Sequence, residues 1–77
     1  MHKLKVHERY TTGDGARRIV YTYGNAGSAH YTRYRDETRA TIFNRDGEEL
    51  EELYLSGDLR RDKAKMRRAL MRASSDT

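Results

Sequence analysis

Residues Gly57–Ser74, GDLRRDKAKMRRALMRAS, hold seven of the chain's sixteen basic side chains. The apolar residues of this stretch recur at steps of seven, four and three, which places them on one side of an α-helix. These positions are Leu59, Met66, Leu70 and Ala73. Just before them, Ser56 and Asp58 can accept hydrogen bonds from the free amides of a first helical turn. The pattern predicts a helix over about residues 58–73, followed by a frayed tail at 74–77.

The basic residues of the predicted helix are also periodic. Four of them step by four, three and four residues: Arg61, Lys65, Arg68 and Arg72. Three more are expected to widen this stripe: Arg60, Lys63 and Arg67. A row of cations can neutralise several phosphates and release their counterions, which gives salt-dependent binding to nucleic acid. Any basic amphipathic helix also needs a solvated face, however, so the stripe has an ordinary structural interpretation as well.

Short segments rich in β-branched and aromatic residues precede the helix and alternate with turn signals. The predicted strands cover about residues 3–10, 17–23, 29–35 and 38–44, with a fifth at 48–55. In the first strand, alternation places Leu4, Val6 and Tyr10 on one face. The fifth segment is ambiguous, because its leucines fit a helical turn as well as a strand. The Asp46-Gly47 turn signal before it favours the strand.

These elements predict an α+β fold: a small antiparallel β-meander of four or five strands with one C-terminal amphipathic helix packed on a face. We expect one small domain over residues 1–77, because a chain of this length can build only a small core. Four basic residues are expected on edge strands, where they would discourage pairing with other chains: Lys3, Lys5, Arg33 and Arg35.

The composition argues against several classes of function. The chain has no cysteine, which excludes a disulfide framework and a thiolate metal site. It has no run of about 18 apolar residues and no apolar centre of a secretion signal. His2, His7 and His30 do not have the spacing of metal ligands. The adjacent carboxylates Asp36 and Glu37 would need a shaped pocket to act in catalysis. We therefore expect a cytoplasmic protein without enzymatic activity, cofactor, metal or membrane partner.

Charge is arranged in three blocks along the chain, although the formal net charge is only +4. Residues 1–45 carry nine basic and four acidic side chains, residues 46–58 six acidic and none basic, and residues 59–77 seven basic and two acidic. Such blocks can attract one another within the fold or present differently charged surfaces to partners.

Tyrosine is the second unusual feature, with six copies beside one phenylalanine and no tryptophan. Exposed aromatics beside basic residues bind single-stranded nucleic acid, and YTRYR, residues 31–35, has this interleaving. We expect a face with Tyr31, Arg33 and Arg35 to be open, although tyrosines must also fill the core. The glycine pair in GNAG, residues 24–27, is expected to form a plain turn, because no helix follows it.

Two functions fit these features. The first is a non-enzymatic regulatory module that contacts nucleic acid through the helix stripe, with Tyr31, Arg33 and Arg35 assisting. The alternative is a protein-binding inhibitor or adaptor, of the kind that phages encode, that docks on a host polymerase or a nucleic-acid-guided defence complex. Its acidic interface would consist of four glutamates: Glu48, Glu49, Glu51 and Glu52. A homodimer with the tyrosine-rich face buried is a third interpretation.

Overall fold

The computed structural model describes residues 3–75, which form a five-stranded antiparallel sheet and one helix. The strands are β1 (Leu4–Thr11), β2 (Arg17–Tyr23), β3 (Gly27–Arg33), β4 (Thr38–Asn44) and β5 (Glu49–Leu55), and the helix is α1 (Leu59–Ser75). The strands lie in sequence order, β1-β2-β3-β4-β5. The predicted α+β meander is confirmed, and the ambiguous fifth segment is a strand. Within residues 3–75, no helix is long and apolar enough to cross a membrane.

Helix α1 lies across β3, β4 and β5 on one side of the sheet, called here the helix face. Met66 and Leu70, on the side of the helix that contacts the sheet, are fully buried. Ala29 of β3 and Ala40 of β4 are also fully buried, and their small side chains leave room for these two larger ones. The opposite side, called the open face, is covered by no other element of residues 3–75. The helix therefore sits off centre and leaves β1 almost entirely exposed.

The start of the helix differs from the prediction. Leu59 is 40% exposed, whereas Asp62, one turn before Met66, is only 1% exposed. The helix continues to Ser75, so residues 74 and 75 of the expected frayed tail are helical. The last two residues of that tail, 76 and 77, lie outside the described part of the chain.

Asp62 can be buried because four donors satisfy its carboxylate. Oδ1 accepts hydrogen bonds from the Ser56 amide at 3.0 Å and the Ser56 hydroxyl at 2.8 Å. Oδ2 accepts from the Gly57 amide at 2.9 Å and from the Tyr31 hydroxyl at 3.1 Å. A buried carboxylate is tolerated only with such partners. Asp58 caps the helix as expected, since its carboxylate accepts from the Arg60 amide at 3.1 Å.

A β-bulge in β1 changes which side chains share a face. Val6 pairs with Tyr21 and Glu8 with the adjacent Val20, so His7 is an extra residue without a cross-strand partner. After the bulge, each side chain of β1 points to the face opposite to the one that strict alternation from Leu4 predicts. Tyr10 therefore lies on the open face, and the prediction that it shares a face with Leu4 and Val6 is wrong.

The strand order also corrects the prediction for the edges. The outer strands are β1 and β5, and β3 is central. Arg33 at the end of β3 and Arg35 in the following bend therefore protect no edge strand. The residues GNAG form the turn between β2 and β3, as expected. Gly27 is required there, because its φ is +143° and a side chain would collide with the Phe43 carbonyl oxygen.

Candidate nucleic-acid interface

The seven helix cations form two rows, not one widened stripe. At about 100° per residue, the predicted stripe of Arg61, Lys65, Arg68 and Arg72 follows one flank of the helix. On this flank, Arg72 Nη2 lies 3.1 Å from Glu51 Oε1 of β5. The other three cations follow the opposite flank, where Lys63 Nζ lies 5.7 Å from the centroid of the Tyr21 ring on β2. The expectation that they widen the stripe is therefore wrong.

Most basic side chains have no carboxylate partner. The four ion pairs among residues 3–75 use only Arg39, Arg61 and Arg72, so thirteen of the sixteen basic residues are unpaired within that range. The Arg61–Asp58 pair is long, at 3.9 Å, and both side chains are largely exposed, so it contributes little. On the predicted stripe, Lys65 and Arg68 are exposed and form no ion pair with any residue of the described range 3–75.

Tyr31 does not belong to the exposed surface. It is 3% exposed, and its hydroxyl donates to Asp62 beneath the helix. Burial, followed by this hydrogen bond, raises the pKa of Tyr31 to about 12. The sequence placed Tyr31 on an open face, which is wrong, because in β3 it is the helix face that carries Ala29 and Tyr31. The open face of β3 carries His30 and Thr32 instead.

Three arginines meet at one end of the sheet. Arg17 of β2 lies directly opposite Arg33 of β3 in the register of the two strands. Both line a concavity of about 430 Å³ with Arg35, Tyr34 and Gly15. Like charges at directly opposed positions destabilise a sheet. We call Arg17, Arg33 and Arg35 the arginine cluster, and within residues 3–75 none of them forms an ion pair.

The open face carries a row of polar and aromatic residues that crosses all five strands. Adjacent partners in the register are, in order, Tyr10, Arg18, Thr32, Arg39 and Tyr54. Arg18 donates from Nη1 to the Tyr10 hydroxyl at 3.3 Å and from Nε to Thr32 Oγ1 at 3.1 Å. The hydrogen bond to Tyr10 is the main reason that the pKa of Arg18 is raised. Neither hydrogen-bond partner is a carboxylate, so these contacts leave the charge of Arg18 uncompensated.

The other half of this row is electrostatically neutralised. Arg39 Nη1 lies 2.8 Å from Glu52 Oε1, and Arg39 Nε lies 3.4 Å from Glu37 Oε1. Its guanidinium also lies 5.0 Å from the centroid of the Tyr34 ring. The row therefore has a cationic end at Tyr10 and a neutralised end at Tyr54.

The predicted acidic interface is divided by the fold. Glu51 pairs with Arg72 on the helix face, and Glu52 pairs with Arg39 on the open face. Glu48 and Glu49 are exposed and have no ion pair within residues 3–75. The same edge strand exposes two large apolar side chains, since Leu50 is 46% exposed and Tyr54 is 68% exposed.

Neither described histidine belongs to a metal-binding group. His30 packs against Phe43 with ring centroids 4.5 Å apart, and burial lowers the pKa of His30. His7 occupies the bulge, and His2 lies outside the described residues. Within residues 3–75, no three histidine, aspartate or glutamate side chains are grouped so that they could hold a metal ion.

The sequence did not identify Tyr10, Arg17 and Arg18 as candidate contacts. The Arg17-Arg18 pair was visible as a basic start to a strand, but its opposition to Arg33 depends on the register of β2 against β3. Tyr10 was assigned to the wrong face because of the bulge at His7. Comparison of the chain with family models, curated proteins and solved structures yields no match. The assignment of function therefore depends on the geometry of these surfaces.

Proposed function

We propose that this chain is a binding module that contacts the phosphates of nucleic acid through two cationic surfaces. One is the helix flank of Arg61, Lys65, Arg68 and Arg72, and the other is the arginine cluster. The observation that carries the proposal is the excess of unpaired cations: thirteen of sixteen within residues 3–75. Folding would not require so many unneutralised charges.

The opposed pair of Arg17 and Arg33 gives particular support. The two guanidinium groups repel each other at these opposed positions. A phosphate bound between them would attract both groups and offset this repulsion. Guanidinium groups also match phosphate oxygens in a bidentate geometry. Contacts of this kind hold the backbone and carry no information about base sequence. The expected binding is therefore sequence-tolerant and sensitive to salt.

Charge reversal on the helix tests the proposal, with a matched control outside both cationic surfaces. Arg68→Glu should weaken binding to a labelled 12-nucleotide oligonucleotide about tenfold or more, because it removes a phosphate contact and adds repulsion. Arg45→Glu changes the net charge equally, but Arg45 lies in the turn between β4 and β5. It should have a clearly smaller effect in the same fluorescence-anisotropy titration.

Equal effects of the two substitutions would indicate only a general attraction to a cationic protein and would contradict the assigned helix surface. No binding of the unsubstituted protein at low salt would contradict the proposed function itself. Thermal melting followed by circular dichroism would establish that both variants remain folded.

A second candidate function is supported by the β5 edge. Leu50 and Tyr54 are exposed near Glu48 and Glu49, which form no ion pair within the described part of the chain. Aromatic and apolar side chains at the centre of a polar patch are typical of protein interfaces. Affinity capture from a nuclease-treated lysate separates the two candidates, because a protein partner would persist after the nucleic acid has been digested.

A further inference from the structure

We propose that the nucleic acid is single-stranded, with phosphates in the arginine cluster and an unstacked base on the Tyr10 ring of the open face. This inference depends on the proposed function and specifies its substrate class and a second part of its site. It does not depend on the helix surface alone, because it uses residues of β1, β2 and β3.

The two parts of this site lie at the same end of the sheet. Arg17 and Arg18 are consecutive residues of β2, so their side chains point to opposite faces. Arg17 faces Arg33 on the helix face, whereas Arg18 faces Tyr10 on the open face. Tyr34 connects the two regions. It lines the concavity of the arginine cluster and also a depression of about 100 Å³ on the open face, together with Arg18.

Tyr10 is available for stacking. It is 40% exposed, and the Arg18 guanidinium lies 5.9 Å from the centroid of its ring. Arg18 Nη1 donates a hydrogen bond to the Tyr10 hydroxyl at 3.3 Å, and this bond helps to orient the ring. An aromatic ring beside an arginine binds bases of single strands by stacking, without regard to their sequence. Arg18 supplies a cation for the neighbouring phosphate.

This geometry favours a single strand over a duplex. A ligand that contacts both faces must bend sharply around the end of the sheet. Double-stranded DNA is stiff, with a persistence length of about 150 base pairs, and its bases are stacked on one another. A single strand can bend at each nucleotide and can present an unstacked base to Tyr10.

Charge determines which end of the open-face row is used. Tyr10 and Tyr54 are both exposed, and they lie four strand spacings apart, about 19 Å. Next to Tyr10, Arg18 forms no ion pair with any carboxylate among residues 3–75. Next to Tyr54, Glu52 neutralises Arg39. On the open face, a polyanion is therefore attracted more strongly to the Tyr10 end of the row than to the Tyr54 end.

The two tyrosines provide a matched pair of substitutions. We expect Tyr10→Leu to weaken binding of a fluorescein-labelled 12-mer of oligothymidine by about 5- to 100-fold, the range for loss of one stacked base. Tyr54→Leu should change the affinity less than about twofold, because no base stacks on Tyr54 in this arrangement. The unsubstituted protein should bind the single strand at least about fivefold more tightly than a 12-base-pair duplex at the same salt concentration, since a duplex offers no unstacked base. Oligouridine should behave as oligothymidine does.

A second pair of substitutions provides an independent test if a tyrosine variant fails to fold. Arg18→Gln should weaken single-strand binding more than Arg39→Gln, although both arginines are partly buried in the same row. Equal losses in either pair, or a duplex bound as tightly as the single strand, would overturn the inference and leave the proposed function standing. Absence of binding to every oligonucleotide would overturn both the inference and the proposed function. If a protein partner were then captured from nuclease-treated lysate, it would indicate that the chain recognises a protein instead.

Discussion

Asp62 joins the start of the helix to the centre of the sheet. Its carboxylate receives hydrogen bonds from the loop before the helix, through Ser56 and Gly57, and from Tyr31 of β3. The sequence could not identify this role. An aspartate among basic residues in the first helical turn is typical of a surface residue that complements the helix dipole. Only the position of the Tyr31 hydroxyl and of the loop amides makes burial favourable.

The stability of the protein should fall at alkaline pH because of Tyr31. Its folded-state pKa of about 12 lies above the ordinary value of about 10. The folded state therefore holds the phenol proton more tightly than the unfolded state does. The corresponding stabilisation is fully present below pH 10 and is lost as the pH rises toward 12. The difference between the two pKa values corresponds to about 2 to 3 kcal/mol in the free energy of unfolding.

Tyr31→Phe isolates this effect from the titration of the other tyrosines and the lysines. At pH 9 the variant should be less stable by about 1 kcal/mol, because it lacks the hydrogen bond to Asp62. Between pH 10 and 12 the difference in the free energy of unfolding should shrink and then change sign, since only the unsubstituted protein loses the larger Tyr31 contribution. Urea denaturation at several pH values measures both curves. Parallel curves would contradict the assignment of the raised pKa to Tyr31.

At the scale of elements, the helix was the most predictable part of the chain. Met66, Leu70 and Ala73 are buried as their spacing indicates. Leu59 is not, because it is the first residue of the helix and precedes Asp62, at which the buried side of the helix begins. Helical periodicity defines a direction around the helix axis, but it does not say how far along the axis the partner surface extends.

Two truncations test this difference. Met66→Ala should destabilise the protein by about 2 to 4 kcal/mol, because it leaves a cavity in a fully buried position. Leu59→Ala should cost less than about 1 kcal/mol, since a side chain at 40% exposure loses little contact. Urea denaturation gives both values. Similar losses for the two variants would mean that Leu59 packs in the core, as its spacing alone predicts.

The sequence predicted the positions of the strands well, but it did not predict which side chains of β1 and β3 point to which face of the sheet. In the third predicted strand, residues 29–35, either alternate set could have faced the core, since one contains Tyr31 and the other Tyr34. In β1 the bulge at His7 reverses the alternation, and nothing in the sequence of that strand marks it. The candidate site depends on these faces. Arg33 and Arg35 were predicted as contacts and lie in the arginine cluster, whereas Tyr31 had to be replaced by Tyr10.

At the scale of the whole molecule, the charge blocks of the sequence lie mainly at different edges of the sheet, although three ion pairs join the middle block to the other two. The acidic residues of the middle block lie along the β5 edge and the turn before it. The β1 edge, the arginine cluster and the outer flanks of the helix are predominantly basic. On the open face, this difference between the β1 and β5 edges favours the approach of a polyanion from the β1 side.

The number of phosphate contacts can be measured from the salt dependence of binding. The arginine cluster and the neighbouring cations suit about three to six phosphates of a single strand, which predicts a slope of log Kd against log salt of about 2 to 4. Affinity for the oligothymidine 12-mer should therefore fall about 15- to 250-fold between 50 and 200 mM salt. An affinity that does not change with salt would be incompatible with a phosphate-based interface.

The distribution of the tyrosines has a consequence for spectroscopy. Tyr21, Tyr23 and Tyr31 are buried together under the helix, while Tyr10, Tyr34 and Tyr54 lie on the side of the sheet away from it. The chain has no tryptophan, so its ultraviolet emission comes from these two sets of phenols alone. A base stacked on Tyr10 would quench light from the outer set and leave the inner set unchanged, whereas melting would alter the inner set. Intrinsic fluorescence can thus distinguish occupancy from unfolding in a single unlabelled sample.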